Sequence, residues 1–338
     1  MRVVWVSFAP LERTPEGFTS AVASVRYRVT STAAAVGRQG VDCKLTYLGP
    51  SVNRRTLFER FSDADAVVFG KLFTTPETNE RQLAQALDLI AQLRARNTAV
   101  LADYSDDHFS HPLLGPAYRA LANAVDRVTA STPGMAEIVA SYTAVPVSVV
   151  TDLVEGPRGV AHVAERPPLR LLWFGHPTNL GTLEYGLPQI ERVKTDVPHS
   201  LTLLTTPAAD AKRCAENVGA RFRPWSAAAV FEELRACDGV IIPSNPHDPG
   251  KAVKSPNRFT ESVWAGRLVL AHALPAYQPL AQAGWVGDDL GEGLKWYAGN
   301  AAAALQRIRE GQDMVAQRHS PEAIGATWKR VIEETVTS

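Results

Sequence analysis

The sequence has few cysteines, no long apolar run and no net charge, and each shortage removes a class of protein. Cys43, Cys214 and Cys237 are the only three cysteines in 338 residues. They are too few and too scattered for a disulfide framework, and none forms the CxxC spacing of a zinc site, so a reducing cytoplasm suits the chain. No apolar stretch approaches the roughly 18 residues of a membrane-spanning helix. The opening "MRVVWVSFAP" is followed by Glu12, Arg13 and Glu16, which reads as a first β-strand and not as a secretory leader. Lys and Arg total 35, as do Asp and Glu, so nothing global favours nucleic acid or an acidic membrane surface. Any anion site must therefore be local, and any membrane contact peripheral, made from the cytoplasmic side. No GxSxG, P-loop or GxGxxG occurs, which leaves serine hydrolases, P-loop kinases and ordinary dinucleotide enzymes without support. No repeat with a period of roughly 20–50 residues appears, which excludes solenoids and propellers.

What remains is ordinary globular material, 45% hydrophobic and 21% charged, in a chain longer than one core usually supports. Short β-branched runs alternate with helical patterns, the signature of parallel βαβ units. Strands are expected at Val3–Ser7, Cys43–Tyr47, Ala66–Phe69, Ala99–Asp103, Val125–Ala130 and Val145–Val150. Between them "NERQLAQALDLIAQLRARN" sets Leu83, Ala86, Leu87, Ile90 and Leu93 on one helical face, with Asn97 as its stop. Glycines and prolines crowd Glu155–Pro168, the best linker, after which "LRLLWFGHPTN", "HSLTLLTT", "GARFRPW", "CDGVIIPS" and "RLVLA" restart the alternation. The expectation is an α/β chain of two Rossmann-like, doubly wound parallel-sheet domains facing across a cleft. Residues 1–160 form the first, 161–320 the second, and a C-terminal helix over 321–338 crosses back to the first. Ligands bind at the carboxyl ends of such strands.

The stretch with the most chemistry is "KAVKSPNRFTESVWAGRLVLA", from Lys251 to Ala271. Ser255 followed by Pro256 reads as an N-cap with proline at the first helical position, and Gly266 as the helix end. A helix of about ten residues would start where Lys251 and Lys254 converge, with Arg258 on its first turn. A helix N-terminus carries about half a positive charge and unpaired N–H groups, so these cations complete a phosphate-sized anion site. Glu261 shares a face with Asn257 and Arg258. The alternative is a set of solvated lysines with an Arg258–Glu261 helical ion pair.

This segment, between "CDGVIIPSNP" and "RLVLA", resembles the nucleotide-sugar segment of GT-B glycosyltransferases, above all the large retaining family that builds bacterial surface polysaccharides. The "ESVWAG" piece is similar to that family's glutamate-bearing helix start, which implies that Glu261 contacts the donor ribose. Lys254 stands where relatives often keep an acid. The resemblance further implies that "WFGHPTNLG" is the first loop of the donor domain, where Gly175, His176 and Asn179 would face the phosphates. With no cation in that loop, charge neutralisation falls on Lys251, Lys254 and Arg258, beside Ser255 and Asn257. The backbone near Phe222–Trp225 would hold the base, with Trp225 as an ordinary hydrophobic neighbour the other reading.

In the first half "LADYSDDHFSHP" gathers Asp103, Asp106, Asp107, His108 and His111 after a strand. Acids and histidines suit a metal, yet the spacing matches no ligand pattern and no metal is expected; a buried strand end followed by a helix cap accounts for them as well. The resemblance implies that His108 meets the donor sugar, with Asp106 and Asp107 on the acceptor side. Arg26 and Arg28, at the start of the first helix, could hold an anionic acceptor, or else be solvated or paired with Glu16. The "ERTPEGFTS" loop reads as a mobile substrate-covering segment.

Together these readings imply a glycosyltransferase that moves a sugar from a nucleotide-diphosphate donor to a carbohydrate or other hydroxyl acceptor. The nucleotide sugar is a co-substrate, and no further cofactor is called for. Retention of configuration, metal independence and a place in polysaccharide or glycoconjugate synthesis follow from the resemblance. Catalysis would rest on Lys254, His108 and Arg258. A nucleotide-sugar epimerase or phosphorylase of the same architecture would share the clamp, and a degenerate, non-catalytic nucleotide-sugar binder would keep it without turnover.

Overall fold

The computed structural model describes residues 1–15, 17–49, 58–71, 76–245 and 247–338. They form two compact units, one of Met1–Leu153, Val253–Ser255 and His319–Ser338, the other of Val154–Ala252 and Pro256–Arg318. The first unit holds β1 (Arg2–Ser7), β2 (Glu12–Thr14), β3 (Gly17–Thr19), β4 (Asp42–Tyr47), β5 (Ala66–Phe69), β6 (Ala99–Tyr104), β7 (Arg127–Ala130) and β8 (Val147–Val149). Six of these make one sheet in the order β4-β1-β5-β6-β7-β8, every neighbouring pair parallel.

Sheet and sequence explain one another. Val3, Val4, Trp5 and Val6 are all fully buried, and they serve two cores in turn. Val4 and Val6 pack with Phe69, Val100 and the helix Pro76–Arg94, whereas Val3 and Trp5 pack with Val68, Leu101 and the C-terminal helix Pro321–Val336. A strand covered on both faces needs an unbroken apolar run, and β1, β5 and β6 have one at Val3–Val6, Ala66–Phe69 and Ala99–Ala102. Trp328 of the C-terminal helix meets Trp5 edge-on, ring centroids 4.9 Å apart.

The helix Pro76–Arg94 buries Ala86, Leu89, Ile90 and Leu93, with Leu89 in place of the expected Leu87. Asn97 then takes a left-handed φ of 58° while Thr98 donates its N–H to Leu93 O, closing the helix as its sequence position suggests. The "ERTPEGFTS" segment, expected as a loop, carries the antiparallel pair β2 and β3, with Glu12 opposite Thr19 and Arg13 opposite Phe18.

The second unit holds β9 (Leu169–Phe174), β10 (His199–Thr205), β11 (Arg221–Pro224), β12 (Gly239–Ile242), β13 (Leu268–His272) and β14 (Trp285–Gly287). They form a second parallel sheet in the order β11-β10-β9-β12-β13-β14. Leu172, Phe174, Ile242 and Ala271 enter one core, and Leu171, Trp173, Ile241 and Leu270 the other. The strand order reverses between β1 and β5 in the first unit and between β9 and β12 in the second. At such a switch point the flanking loops turn to opposite faces and leave a crevice.

Candidate functional site

In the second unit the switch point is bridged by side chains. β9 runs into Gly175, whose N–H donates to Leu204 O at 3.1 Å. His176 follows as the cap of the 3₁₀ turn Pro177–Thr182, its Nδ1 accepting the Thr178 N–H at 3.3 Å. Asn179 lies in that turn. Across the reversal, the chain leaving β12 reaches the turn Pro249–Ala252, and Lys251 Nζ donates to Asn179 Oδ1 at 2.7 Å. Loops from the two adjacent strands are thus joined by a cation. Arg258, on the first turn of the helix Asn257–Trp264, points a guanidinium nitrogen at Phe174 O, 3.4 Å away. The same guanidinium lies by the Tyr277 hydroxyl: burial pushes that phenol's pKa up, and Arg258 opposes the rise.

The helix itself corrects the expected cap. It begins at Asn257 with Pro256 in the cap position (φ −80°, ψ 29°), and no side chain caps it, so Ser255 is not the N-cap and the helix has 8 residues. Its first-turn amides of Phe259 and Thr260 turn back to Pro256 O. Glu261 falls one turn after Asn257 and is half-buried. Trp225, directly after β11, donates its N–H to Thr205 O at 2.9 Å and packs against the core containing Phe174 and Leu204.

The first unit presents a second group at the ends of β5 and β6. Lys71 follows Gly70 out of β5, and its ammonium donates to Asp106 Oδ2. Lys254 lies 3.6 Å from Asp106 Oδ1. Its tripeptide Val253–Ser255 groups with the first unit, where Thr132 Oγ1 donates to Val253 O at 2.8 Å. Burial alone would raise the Asp106 pKa, but attraction and a hydrogen bond from Lys71, with Lys254 and His108, hold it below the usual carboxylate range. His108 is shifted down, first by burial and then by Lys71, so its imidazole is neutral near pH 7. Its ring stands edge-on to Tyr118 at 5.3 Å.

The remaining acids and basic groups turn elsewhere. Asp107 Oδ1 accepts the Phe109 N–H at 3.0 Å, and His111 Nδ1 faces the amides of Leu113 and Leu114 at the entry to the helix Gly115–Ala124. Among the described residues no group of three or more His, Cys, Asp or Glu is arranged to hold a metal ion. Arg28 is corrected outright as an acceptor-side residue. It is 1% exposed, donating from Nε and Nη2 to Asp103 at 2.9 and 2.6 Å, and from Nη1 to Asp152 Oδ1 at 2.8 Å and Val150 O at 2.6 Å. Arg26 is half-buried, its guanidinium carbon 4.9 Å from the Tyr27 ring centroid. Glu16, the other partner considered for these arginines, lies outside the described residues.

No family model matches the chain, and no curated protein matches it by sequence. Solved structures do match over nearly the whole length. An alpha-glucosyltransferase in complex with UDP aligns with a TM-score of 0.69 at 9% identity, covering 98% of this chain and 99% of that one. HepE of Anabaena, in complex with UDP and glucose, aligns at 0.65 and 12% identity over 99% of each chain. A structure of trehalose-6-phosphate from E. coli, bound with UDP-2-fluoro glucose, aligns at 0.63 and 9% identity, again over 99% of each. The fold is the GT-B fold of glycosyltransferases.

Placed in the GT-B fold, Gly175, His176, Asn179, Trp225, Lys251, Asn257, Arg258 and Glu261 all belong to the second unit, and Asp106, Asp107, His108, Lys254 and Ser255 to the first. Lys71 is the residue that the sequence reading missed. A signal for it exists in "AVVFGK", where a glycine and a lysine directly end a fully apolar strand beside the switch point. No helix among the described residues is long and apolar enough to cross a membrane.

Proposed function

We propose that this chain is a glycosyltransferase that takes a sugar from a nucleotide-diphosphate donor and passes it to a hydroxyl group of a carbohydrate or similar acceptor. The observation that carries this reading is the Lys251–Asn179 bridge between the β9 and β12 loops, with Arg258 on the first turn of a helix that lacks a side-chain cap. Negative charge collects on the leaving diphosphate as the glycosidic bond breaks. Fixed cations stabilise that charge more than they stabilise the intact donor, and this difference accelerates the reaction. Lys251 and Arg258 take that role without a metal ion. Glu261 receives the ribose hydroxyls, and the Phe222–Trp225 backbone meets the base.

The UDP and UDP-sugar complexes among proteins of the same fold support a nucleotide-sugar donor. On the acceptor side, Asp106 is ionised and His108 neutral, which suits hydrogen bonds to sugar hydroxyls. Lys254, with Asp106 as its partner, joins that group. Retention of configuration and work on a polysaccharide or glycoconjugate, at the cytoplasmic side, complete the proposal.

Calorimetry with UDP, ADP and GDP, followed by incubation with the matching sugar nucleotides and NMR of the product's anomeric proton, tests it. Binding of one nucleotide with acceptor-dependent donor consumption and a retained anomer is expected. Absence of binding to all three would remove the reading, and donor turnover without acceptor would replace transfer by epimerisation or hydrolysis.

A further inference from the structure

The chain leaving the first unit is bonded as a strap to the far end of the helix Asn257–Trp264. Trp264 Nε1 donates to Gly156 O at 3.0 Å, and the Gly159 N–H donates to Trp264 O at 2.9 Å. The His162 N–H donates to Gly266 O at 3.0 Å. Two side chains lock the two segments together. Gln312, 2% exposed, donates from one nitrogen to Gly159 O at 2.8 Å and Trp264 O at 3.0 Å. Arg267, 5% exposed, donates to the carbonyls of Val160, Ala265, Gly266 and Arg235 at 2.7–3.2 Å. The approach is too close for side chains at two points. A Cβ on Gly159 would lie 2.2 Å from Ala265 O, and one on Gly266, itself at φ +80°, would lie 2.3 Å from Val160 O.

The two ends of this helix are thus treated oppositely. At the C-terminus the carbonyls of Trp264, Ala265 and Gly266 are satisfied by strap amides, Gln312 and a cation placed where the helix dipole is negative. At the N-terminus no side chain caps the helix. An α-helix of 8 residues is about 12 Å long and stiff, so holding one end sets the axial position of the other.

We infer that Arg267 and Gln312 are positioning residues for the donor phosphate, acting through the helix that carries Arg258. The inference rests on the proposed function for the identity of the ligand, but its mechanical core does not. Gln312→Ala and Arg267→Lys test it in the full chain, Gln312→Ala serving if the buried arginine proves indispensable for folding. In hydrogen exchange of the ligand-free protein, both variants should speed exchange at Phe259 and Thr260 as well as at the strap. Faster exchange confined to residues 262–267 would overturn the inference, whatever the ligand.

With the nucleoside diphosphate that the wild type binds, the dissociation constant should rise and kcat/KM for the donor fall, each about tenfold or more, with acceptor KM nearly unchanged. A folded variant with unaltered nucleotide affinity and donor kcat/KM would also overturn it. Should the wild type bind no nucleotide, the proposed function falls, and the exchange pattern still decides whether the strap fixes the helix.

Discussion

Replacing Arg28 by Met should unfold the first unit far more readily than a surface change would. The substitution removes two hydrogen bonds to Asp103, one to Asp152 and one to Val150 O. Asp103 then keeps the Thr129 hydroxyl at 2.6 Å, and both carboxylates stay buried, at 2% and 4% exposure. Leaving a buried charge without its partner costs roughly 3–5 kcal/mol. That is a large share of the 5–15 kcal/mol that holds a typical domain together, and corresponds to about 6–20 °C in melting temperature for a domain of this size. Native-state hydrogen exchange at β6 and β7 amides such as Leu101 and Val128 reports the opening of this unit separately from the rest of the chain. Adding Asp152→Asn should couple with Arg28→Met by more than about 1 kcal/mol, since the two share one interaction. A loss below about 1 kcal/mol for Arg28→Met would refute the reasoning, because no buried charge would then have been stranded. Arg28→Lys keeps the charge but not the fork, so an intermediate loss is expected, with acceptor KM unchanged below its melting temperature.

Three further outcomes are expected. Lys251→Met should lower kcat/KM for transfer by about 10- to 150-fold, the equivalent of one charge-assisted contact of roughly 1.5–3 kcal/mol; unaltered kcat/KM in a folded variant would remove Lys251 from the mechanism. Glu261→Ala should weaken nucleotide binding about fivefold or more by calorimetry, whereas equal affinity would count against a ribose contact. The depressed pKa of Asp106 means that in acid the unfolded chain, titrating near pH 4, binds the proton more readily than the folded one, so stability rises with pH in that window. The Lys71 pair thus contributes above about pH 4 and is lost as pH falls through the lower folded value; Asp106→Asn should flatten this segment of a urea-midpoint curve, and parallel curves for variant and wild type would exclude the pair as its source.

Much of the fold was legible because parallel strands buried on both faces are written as uninterrupted apolar runs. Val3–Ser7 and Ala66–Phe69 could hardly be anything else, and Asn97 and Gly266 stop their helices where a left-handed residue is needed. The short elements were not legible. β14 has only three residues, and the hairpin β2–β3 has no apolar alternation to announce it.

The misplacement of Arg28 has a specific cause. Residues Arg26–Thr30 form a π-helical turn, which shifts the helical phase and swings Arg28 inward to Asp103. Position at the start of a helix does not say which way such a side chain turns. Position at a strand end marked Asn179, Asp106 and His108, but position says nothing about partners. Lys251 with Asn179 and Lys71 with Asp106 are joined over separations of 72 and 35 residues, which only the folded topology brings together. Ser255 shows the converse: a favourable cap residue lost its role to an adjacent proline.

The helix Pro321–Val336 inserts Trp328 between elements made at the other end of the chain, and Arg127 donates to its Thr335 at 2.9 Å. The first unit is therefore the last to be finished. During synthesis the residues of the second unit, 154–252 and 256–318, have all emerged before the helix that covers Trp5 exists. Until then one face of the first sheet lacks its cover, so an expressed 1–153 fragment should expose Val3, Trp5 and Leu101 to aggregation, whereas a fragment ending after Val336 should not.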